Sequence, residues 1–326
     1  MLSTRLTKRL GLRHPIISAP MAFAAGGKLA AAVSAAGGLG LIGGGYGDAE
    51  WLAQEFRAAN GARVGCGFIT WSLRKNPALL DLAFANDPRA IMLSFDDPVP
   101  LAERIRQRGV TLICQVQTVR DAKRALECGA DIIVAQGAEA GGHGETRATF
   151  TLVPEIADLI AKTAPDTLLC AAGGIGDGRG LAAALMLGAD GVLVGSRLWA
   201  SQEANVSKRM HQAALHATGD ETIRSQTMDL ARKLPWPKRY TARVLKNEFI
   251  ARWHGREEEL VAVADEEAAK YRKAWAEGDP KGSNTFVGEV VGLIRDIQPA
   301  GDIIEGMVRE ACALLQANAK ACRANP

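Results

Sequence analysis

The stretch from Gln136 to Gly144, QGAEAGGHG, places four glycines and one histidine directly after the apolar run 131–135. An apolar run of this length predicts a buried parallel strand. Glycines at a strand end pack poorly, but they let the backbone approach a flat ligand closely. A neutral imidazole there can act as a base or donate a hydrogen bond to a bound anion. We therefore predict that His143 is catalytic; the alternative is a surface histidine in a flexible loop.

Two other glycine turns have the composition of a phosphate site. Gly173 and Gly174 follow the seventh predicted strand, and Gly195 and Ser196 follow the eighth. Backbone N–H groups in such turns and at helix N-termini attract anions, and the serine adds a hydroxyl donor. Either turn alone is an ordinary connection. Barrel enzymes often bind phosphate after these two strands, so the pair together predicts a phosphate cradle.

Two glutamines and a methionine are placed to meet a flavin ring. Gln115 ends the fifth predicted strand and Gln136 the sixth, so both amides should point into the top of a barrel. Amides both donate and accept, which suits a pyrimidine edge or ribityl hydroxyls; the alternative is hydrogen bonding to nearby backbone. After the first strand comes Ala19, Pro20, Met21 and Ala22, whose thioether could lie along an isoalloxazine edge. With the phosphate cradle, these residues predict flavin mononucleotide, FMN.

Composition argues against several other classes of protein. The sequence has no HExxH motif and no cysteine ligand set, which disfavours a metal site, and no GxSxG motif, which disfavours a serine nucleophile. The net charge of +3 is spread among both signs, so neither nucleic acid nor a membrane is an expected partner. The six cysteines form no CxxC pair, as is typical of free thiols in a reducing compartment. We expect a soluble, cytoplasmic protein.

The elements that must position these residues alternate regularly. Apolar runs with helical segments between them predict a parallel sheet covered by helices, and eight such units predict an α/β fold, a (β/α)8 TIM barrel. An open doubly wound sheet is the alternative, but its glycine-rich phosphate turn is missing after the first strand. The eight predicted strands are 15–19, 39–42, 64–68, 91–95, 111–116, 132–136, 168–171 and 191–194.

The sequence pattern changes after Trp199. We predict an FMN-binding barrel over residues 1–202 and a C-terminal α-helical appendage over residues 203–326 that covers the barrel top. The appendage is a candidate homodimer face, with Trp236, Tyr240 and Trp253 as candidate contacts; packing within the appendage is the alternative role for these aromatic residues.

Several of these stretches together resemble the nitronate monooxygenases, formerly called 2-nitropropane dioxygenases. The resemblance lies in APMA at 19–22, the segment 29–40, QGAEAGGH at 136–143, AGGIG at 172–176 and GSR at 195–197. It implies a TIM barrel with non-covalent FMN and a catalytic His143. The FMN phosphate would lie on the two glycine turns. The residues implied to surround the rest of the cofactor are Ala19, Pro20, Met21, Ala22, Gly67, Gln115, Gln136, Gly141 and Gly142.

The resemblance also implies a reaction, in which an alkyl nitronate or a nitroalkane is oxidised with O2 to a carbonyl compound and nitrite. The same superfamily includes FMN-type enoyl-acyl-carrier-protein reductases and NADH:quinone reductases. An NAD(P)H-dependent FMN reductase of a quinone or enoyl thioester is therefore one alternative, and a non-catalytic flavin-binding protein is another.

This sequence departs from the family pattern at two places. Gly67 stands where relatives often carry an asparagine, and Val290, within 288–292, stands where they carry a hydroxyl residue. The valine removes a polar anchor for the substrate. Glu289 would disfavour an anionic substrate if its side chain pointed into the site.

Overall fold

The computed structural model describes residues 2–323, which contain eleven strands. They are β1 (Ile16–Ser18), β2 (Leu41–Gly43), β3 (Gly65–Ile69), β4 (Ala90–Ser94), β5 (Thr111–Val116), β6 (Ile132–Gln136), β7 (Gly142–Gly144), β8 (Leu168–Ala172), β9 (Gly191–Val194), β10 (Thr222–Ser225) and β11 (Thr241–Leu245).

Eight of these strands form one parallel barrel in the order β1-β9-β8-β6-β5-β4-β3-β2. The two ends of this order meet near Leu39, whose amide donates to the Ile16 carbonyl (2.9 Å) and whose carbonyl accepts from the Ser18 amide (3.0 Å). The predicted (β/α)8 barrel is therefore confirmed. All eight predicted strands are present, with ends that differ by no more than two residues from the prediction.

Side chains alternate along the strands between two apolar cores, because successive residues of a strand point to opposite faces. Met92 and Ile113 point into the barrel, whereas Ile91 and Leu112 face the surrounding helices. Leu6 of the N-terminal helix lies in the interior core and is fully buried. The interior is therefore filled by side chains, which confines ligand space to the mouth at the carboxyl ends of the strands.

Sixteen α-helices occur within the described residues. They are α1 (Arg5–Leu10), α2 (Gly27–Ala35), α3 (Ala49–Ala58), α4 (Thr70–Leu73), α5 (Ala78–Phe84), α6 (Val99–Gln107), α7 (Val119–Glu127), α8 (Thr149–Thr163), α9 (Gly178–Met186), α10 (Ser196–Trp199), α11 (Lys208–Leu215), α12 (Thr227–Ala231), α13 (Glu248–Trp253), α14 (Glu257–Ala262), α15 (Ala264–Ala276) and α16 (Ala300–Arg323). Two 3₁₀ helices cover Gly219–Glu221 and Glu289–Leu293.

The last helix, α16, packs against α9 and α2 in the outer layer of the barrel. Its apolar residues Ile303, Ile304 and Met307 belong to the large core between strands and helices. The approach to α9 is close, because a Cβ on Gly178 would lie 2.5 Å from the Ala311 amide nitrogen. No helix within residues 2–323 is long and apolar enough to span a membrane.

The chain between the barrel and α16 holds strands as well as helices, a feature that the sequence pattern did not predict. β10 pairs with β11, and β11 pairs with β7, all antiparallel. β7 contains His143 and belongs to the loop after β6. Through this small sheet, the strand that carries His143 is hydrogen-bonded to a strand in the segment after residue 203.

Candidate active site

A cavity of about 300 Å³ opens at the carboxyl ends of the barrel strands. Its walls come from the carboxyl ends of all eight barrel strands and the loops that follow them, together with segments near residues 205, 236, 275 and 286. The cavity brings together the predicted site residues Ala19, Pro20, Met21, Ala22, Gly67, Gln115, Gln136, Gly141, Gly142, His143, Gly173, Gly174, Gly195 and Ser196.

The two glycine turns present backbone amides at one end of this cavity. Gly173 and Gly174 have φ of 100° and 73°, a left-handed conformation that glycine adopts without strain. Within the described residues, the amides of Gly174 and Gly195 donate to no protein acceptor. The Ser196 hydroxyl accepts a hydrogen bond from the Gly288 amide (2.8 Å), which leaves its own proton to donate. These donors suit an anion such as a phosphate.

The N-terminus of α9 contributes less to an anion site than the sequence suggested. Asp177 caps this helix, with Oδ1 accepting from the Gly180 amide at 3.1 Å. Glu310 of α16 accepts from the Gly178 amide at 2.7 Å. Protein carboxylates therefore occupy these helix amides, and an anion is left with the donors of the turns themselves.

The two predicted glutamines meet at the top of β5 and β6. Gln115 Nε2 donates to Gln136 Oε1 (3.2 Å), and Gln117 Nε2 donates to the same oxygen (2.7 Å). Gln136 Nε2 then donates to the His143 carbonyl (3.1 Å). The amides are thus fixed in orientation, and Gln136 links the cavity floor to β7. Gln117, which the sequence analysis did not single out, is buried and helps to set this orientation.

The structure gives a steric reason for glycine at position 67. A Cβ at Gly67 would collide with the Pro20 ring, so any side chain here would displace the loop after β1. A Cβ at Gly195 would meet Ala19 and Met21 only at ordinary contact distances, and a Cβ at Gly142 would meet no atom within 4 Å. The backbone at Gly142 and Gly195 is therefore open to a flat ligand, whereas Gly67 is covered by Pro20.

Two half-buried arginines support the loop that carries the histidine. Arg224 of β10 and Arg243 of β11 both donate to the Ala138 carbonyl, at 3.2 and 2.9 Å. Arg243 also pairs with Glu289 at 2.8 Å. Glu289 is thus turned toward an arginine and its charge is balanced, whereas the neighbouring Val290 lines the cavity. An apolar side chain in the cavity wall offers a substrate no hydrogen bond, so the position of Val290 agrees with the expected loss of a polar anchor.

His143 is buried and makes one short hydrogen bond. Its Nε2 lies 2.7 Å from Oδ2 of Asp229, and Asp229 Oδ1 accepts from Arg232 Nη2 at 2.8 Å. An ionised carboxylate can only accept, so the proton of a neutral imidazole resides on Nε2. Nδ1 then carries the lone pair, and no protein donor within residues 2–323 reaches it.

Burial also keeps this imidazole neutral. Burial lowers the pKa of His143, and although the hydrogen bond and charge of Asp229 oppose this, Arg232 and Arg224 add to the lowering. The Trp236 ring stacks on the imidazole with centroids 3.4 Å apart and an interplanar angle of 7°. His143 therefore has an oriented, neutral imidazole and is not a flexible surface residue.

Asp229, Arg232 and Trp236 were not identified as site residues from the sequence. Asp229 and Arg232 lie three residues apart on and just after α12, a spacing that places both side chains on one helix face. Trp236 was expected either at a dimer face or in the packing of the appendage. It lies in the cavity instead, while Tyr240 and Trp253 are buried.

A filled (β/α)8 barrel with a glycine-lined cavity and a buried histidine at its carboxyl end has the architecture of a barrel enzyme. A family model described as nitronate monooxygenase matches residues 3–64 and 75–310. The nitronate monooxygenase of Neurospora crassa is 32% identical over 91% of this chain and 88% of its own length. The nitronate monooxygenase npaC of Metarhizium robertsii is 34% identical over 92% of this chain and 91% of its own length.

A solved structure agrees with this assignment of the fold. FabK from Thermotoga maritima superposes with a TM-score of 0.85 and 29% identity, covering 98% of this chain and 100% of that one. The chain belongs to the nitronate monooxygenase family, and it is an oxidoreductase.

Proposed function

We propose that this protein oxidises alkyl nitronates, and the nitroalkanes from which they form, with FMN and O2 to a carbonyl compound and nitrite. The observation that carries this proposal is the His143–Asp229 pair, which lies in the glycine-lined cavity of a nitronate monooxygenase family member. A nitroalkane is a carbon acid, and a buried neutral imidazole with a fixed tautomer suits the removal of its proton.

The residues present fit FMN. Gly173, Gly174, Gly195 and Ser196 would hold the phosphate through backbone amides and one hydroxyl. The ring would lie near Met21, Gln115, Gln136 and Gly142, where the backbone is open and the amides are already oriented. Pro20 and Gly67 shape one side of this space by their close approach, and Ala19, Ala22 and Gly141 line it. When bound, FMN supplies the ring that accepts electrons from the substrate and passes them to O2.

The histidine acts on the substrate carbon in this proposal. Nδ1 of His143 takes the proton next to the nitro group, because Nε2 is engaged by Asp229. Asp229 fixes the tautomer and stabilises the imidazolium that forms. A neutral His143 cannot donate from Nδ1 to the nitro oxygens, so its role is that of a base for nitroalkanes. A nitronate, which has already lost that proton, needs the base less.

The test is an anaerobic mixing experiment with the FMN-loaded protein. An alkyl nitronate is added while the visible absorption of the flavin is followed, and O2 is then admitted. Loss of the flavin band on mixing, with recovery of the band and release of nitrite after O2, is the expected result.

NADH added to the same anaerobic sample provides the comparison. If NADH bleaches the flavin rapidly and the nitronate does not, the protein is an NAD(P)H-dependent reductase and the proposal is wrong. If neither compound changes the spectrum, the cavity binds flavin without catalysis, which also contradicts the proposal.

A further inference from the structure

The cavity wall beside His143 carries a donor group that has no acceptor within the described residues. The indole N–H of Trp236 is buried and has no hydrogen-bond partner there, and Trp236 lines the cavity. Trp71, whose ring lies 5.3 Å from that of Trp236, also has a buried N–H without a partner in this part of the chain, but it does not line the cavity. Buried donors are nearly always paired in folded proteins, so the unpaired N–H of Trp236 points to an acceptor that arrives with a ligand.

Tyr46 and Arg232 extend this set of donors. The Tyr46 ring centroid is 6.2 Å from that of Trp236 and 5.7 Å from Arg232 Cζ, and all three residues line the cavity. Arg232 donates through Nε to the Met228 carbonyl (3.1 Å) and through Nη2 to Asp229. Its Nη1 donates to no acceptor in the described part of the chain.

The Tyr46 hydroxyl is itself a donor at neutral pH. Burial raises the pKa of this phenol, and the charge of Arg232 and the approach of the Trp236 and Arg232 side chains to the phenol oxygen only partly oppose the effect. The phenol therefore keeps its proton and can donate it to a ligand that reaches this cluster.

Arg232 and Arg224 bring positive charge to the region beside His143. Within residues 2–323, Asp229 is the carboxylate in contact with His143, and Arg232 already engages it. Arg224 also acts on His143 and forms no ion pair among the residues described, although the charges of Glu289 and Glu145 act on it. Burial, and secondly the charge of Arg243, lower the pKa of Arg224 to about 10. An anion placed beside Arg232 would gain from the charge of its guanidinium.

We propose that Arg232, Trp236 and Tyr46 form the subsite that holds the anionic nitro oxygens of the substrate. The assignment rests on the proposed function. In it, these three donors hold the nitro oxygens, whereas His143 removes the proton from the adjacent carbon. A planar guanidinium matches a planar group with two oxygens. The subsite selects the nitronate anion over the neutral nitroalkane, because only the anion gains from the charge of Arg232.

The experiment titrates the FMN-loaded protein with nitrate, an unreactive planar anion, by calorimetry at fixed ionic strength. The variants are Tyr46→Phe and Arg232→Gln. Loss of one neutral donor to an anion should raise the Kd for nitrate about 10-fold, and loss of the guanidinium about 100-fold. For the nitronate, Tyr46→Phe should raise KM by about 10-fold and change kcat by less than about 3-fold.

Tyr240→Phe is the matched control. Tyr240 is a neighbouring buried tyrosine whose ring is 6.2 Å from Trp236, but its hydroxyl meets Arg239 and does not line this cavity. Its nitrate Kd should equal that of the wild type. If Arg232→Gln fails to fold, Tyr46→Phe against Tyr240→Phe still decides the question.

Nitronate turnover by the wild type separates the two proposals. If the wild type is active and nitrate binding weakens only in the subsite variants, the subsite is supported. If the wild type is active but binds no nitrate, or if the variants bind it as well as the wild type, the subsite alone is wrong. An inactive wild type overturns the proposed function, and the nitronate assignment fails with it.

Discussion

The two ring nitrogens of His143 have different surroundings because of the hydrogen bond to Asp229. Nε2 is held at 2.7 Å from the carboxylate, so only Nδ1 can exchange a proton with a substrate. Since Trp236 covers one face of the ring at 3.4 Å, the imidazole cannot turn without displacing the indole. In the proposed mechanism, the imidazole is therefore already oriented as a base before the substrate binds.

Replacing His143 by asparagine should therefore separate two substrates. We expect kcat/KM for a neutral nitroalkane to fall roughly 10²–10⁴-fold, the usual contribution of a general base, and that for the nitronate to fall less than about 10-fold. Oxygen consumption with each substrate measures both values. The exposed His216→Asn is the control and should match the wild type. Equal losses on both substrates would show that His143 does not act as the base.

The Asp229→Asn variant tests the role of Asp229, the hydrogen-bond partner of His143, through the pH dependence of kcat/KM. Since burial already lowers the pKa of His143 and Asp229 opposes this, removing the carboxylate leaves Arg232 and Arg224 to lower that pKa further. Activity on a nitroalkane needs neutral His143, so kcat/KM rises with pH in the wild type. In the variant, the midpoint of that rise should move to lower pH, and the plateau should fall about 10-fold or more because the base is weaker.

The position of this midpoint distinguishes positioning from a purely structural role. A variant that only loosened the fold would lower kcat/KM at every pH and leave the midpoint unchanged, which would contradict the assignment of Asp229. Near-ultraviolet circular dichroism of the variant shows whether the packing of Trp236 is retained.

At the scale of elements, the loop from β6 to β7 is held by the barrel on one side and by the segment before α16 on the other. Gly141 lies where this loop passes the chain at Val287 and Gly288. A Cβ at Gly141 would lie 2.5 Å from both the Gly288 amide nitrogen and the Val287 carbonyl carbon. These are backbone atoms, which cannot turn aside as a flexible side chain can.

Gly141→Ala should consequently lower the free energy of unfolding by about 1–3 kcal/mol, as overpacking usually does, and should weaken FMN binding. Urea denaturation and flavin fluorescence titration measure the two effects. The matched control is Gly306→Ala in α16, where the nearest atom to the new Cβ is 3.9 Å away. The control should be neutral or stabilising by up to about 1 kcal/mol. A fully stable Gly141→Ala with wild-type FMN affinity would refute this account.

The barrel strands could be predicted from the sequence because each is a short apolar run with its own boundaries. The site residues at their ends, such as Gln136 and Gly195, follow from the same pattern, since carboxyl ends of parallel strands gather at one mouth. Asp229 could not be predicted in this way. It lies 86 residues from His143, and their contact depends on the pairing of β7 with β11, for which neither segment has a long alternating pattern.

The unpredicted strands β10 and β11 illustrate the same limit. Both are short, and each carries an arginine whose side chain reaches the Ala138 carbonyl. Charged residues in a strand usually indicate an exposed face, whereas here both arginines are half-buried and lie against a loop from the barrel. Local composition therefore predicted helices and solvated charges in a segment where tertiary contacts determine the structure.

At the scale of the whole molecule, the last helix, α16, contributes residues to the main apolar core. Residues of α16 pack in the same apolar cluster as Leu29 and Val33 of α2 and Leu181 of α9. The helices of the first and seventh barrel units and the C-terminal helix are therefore joined through one core. Arg13 adds a further link, since its Nη2 lies 2.6 Å from Glu305.

Ile304→Ala tests whether α16 is integral to this core. Ile304 is fully buried, so truncation to alanine should cost about 2–5 kcal/mol through lost burial and the cavity left behind. The exposed Gln316→Ala on the same helix is the control and should change stability by less than about 0.5 kcal/mol. Because the core is shared, the loss should appear in the main unfolding transition, followed by tryptophan fluorescence and by release of bound FMN. If Ile304→Ala instead produced a separate early transition that left FMN bound, α16 would be an independent element and the barrel would be stable without it.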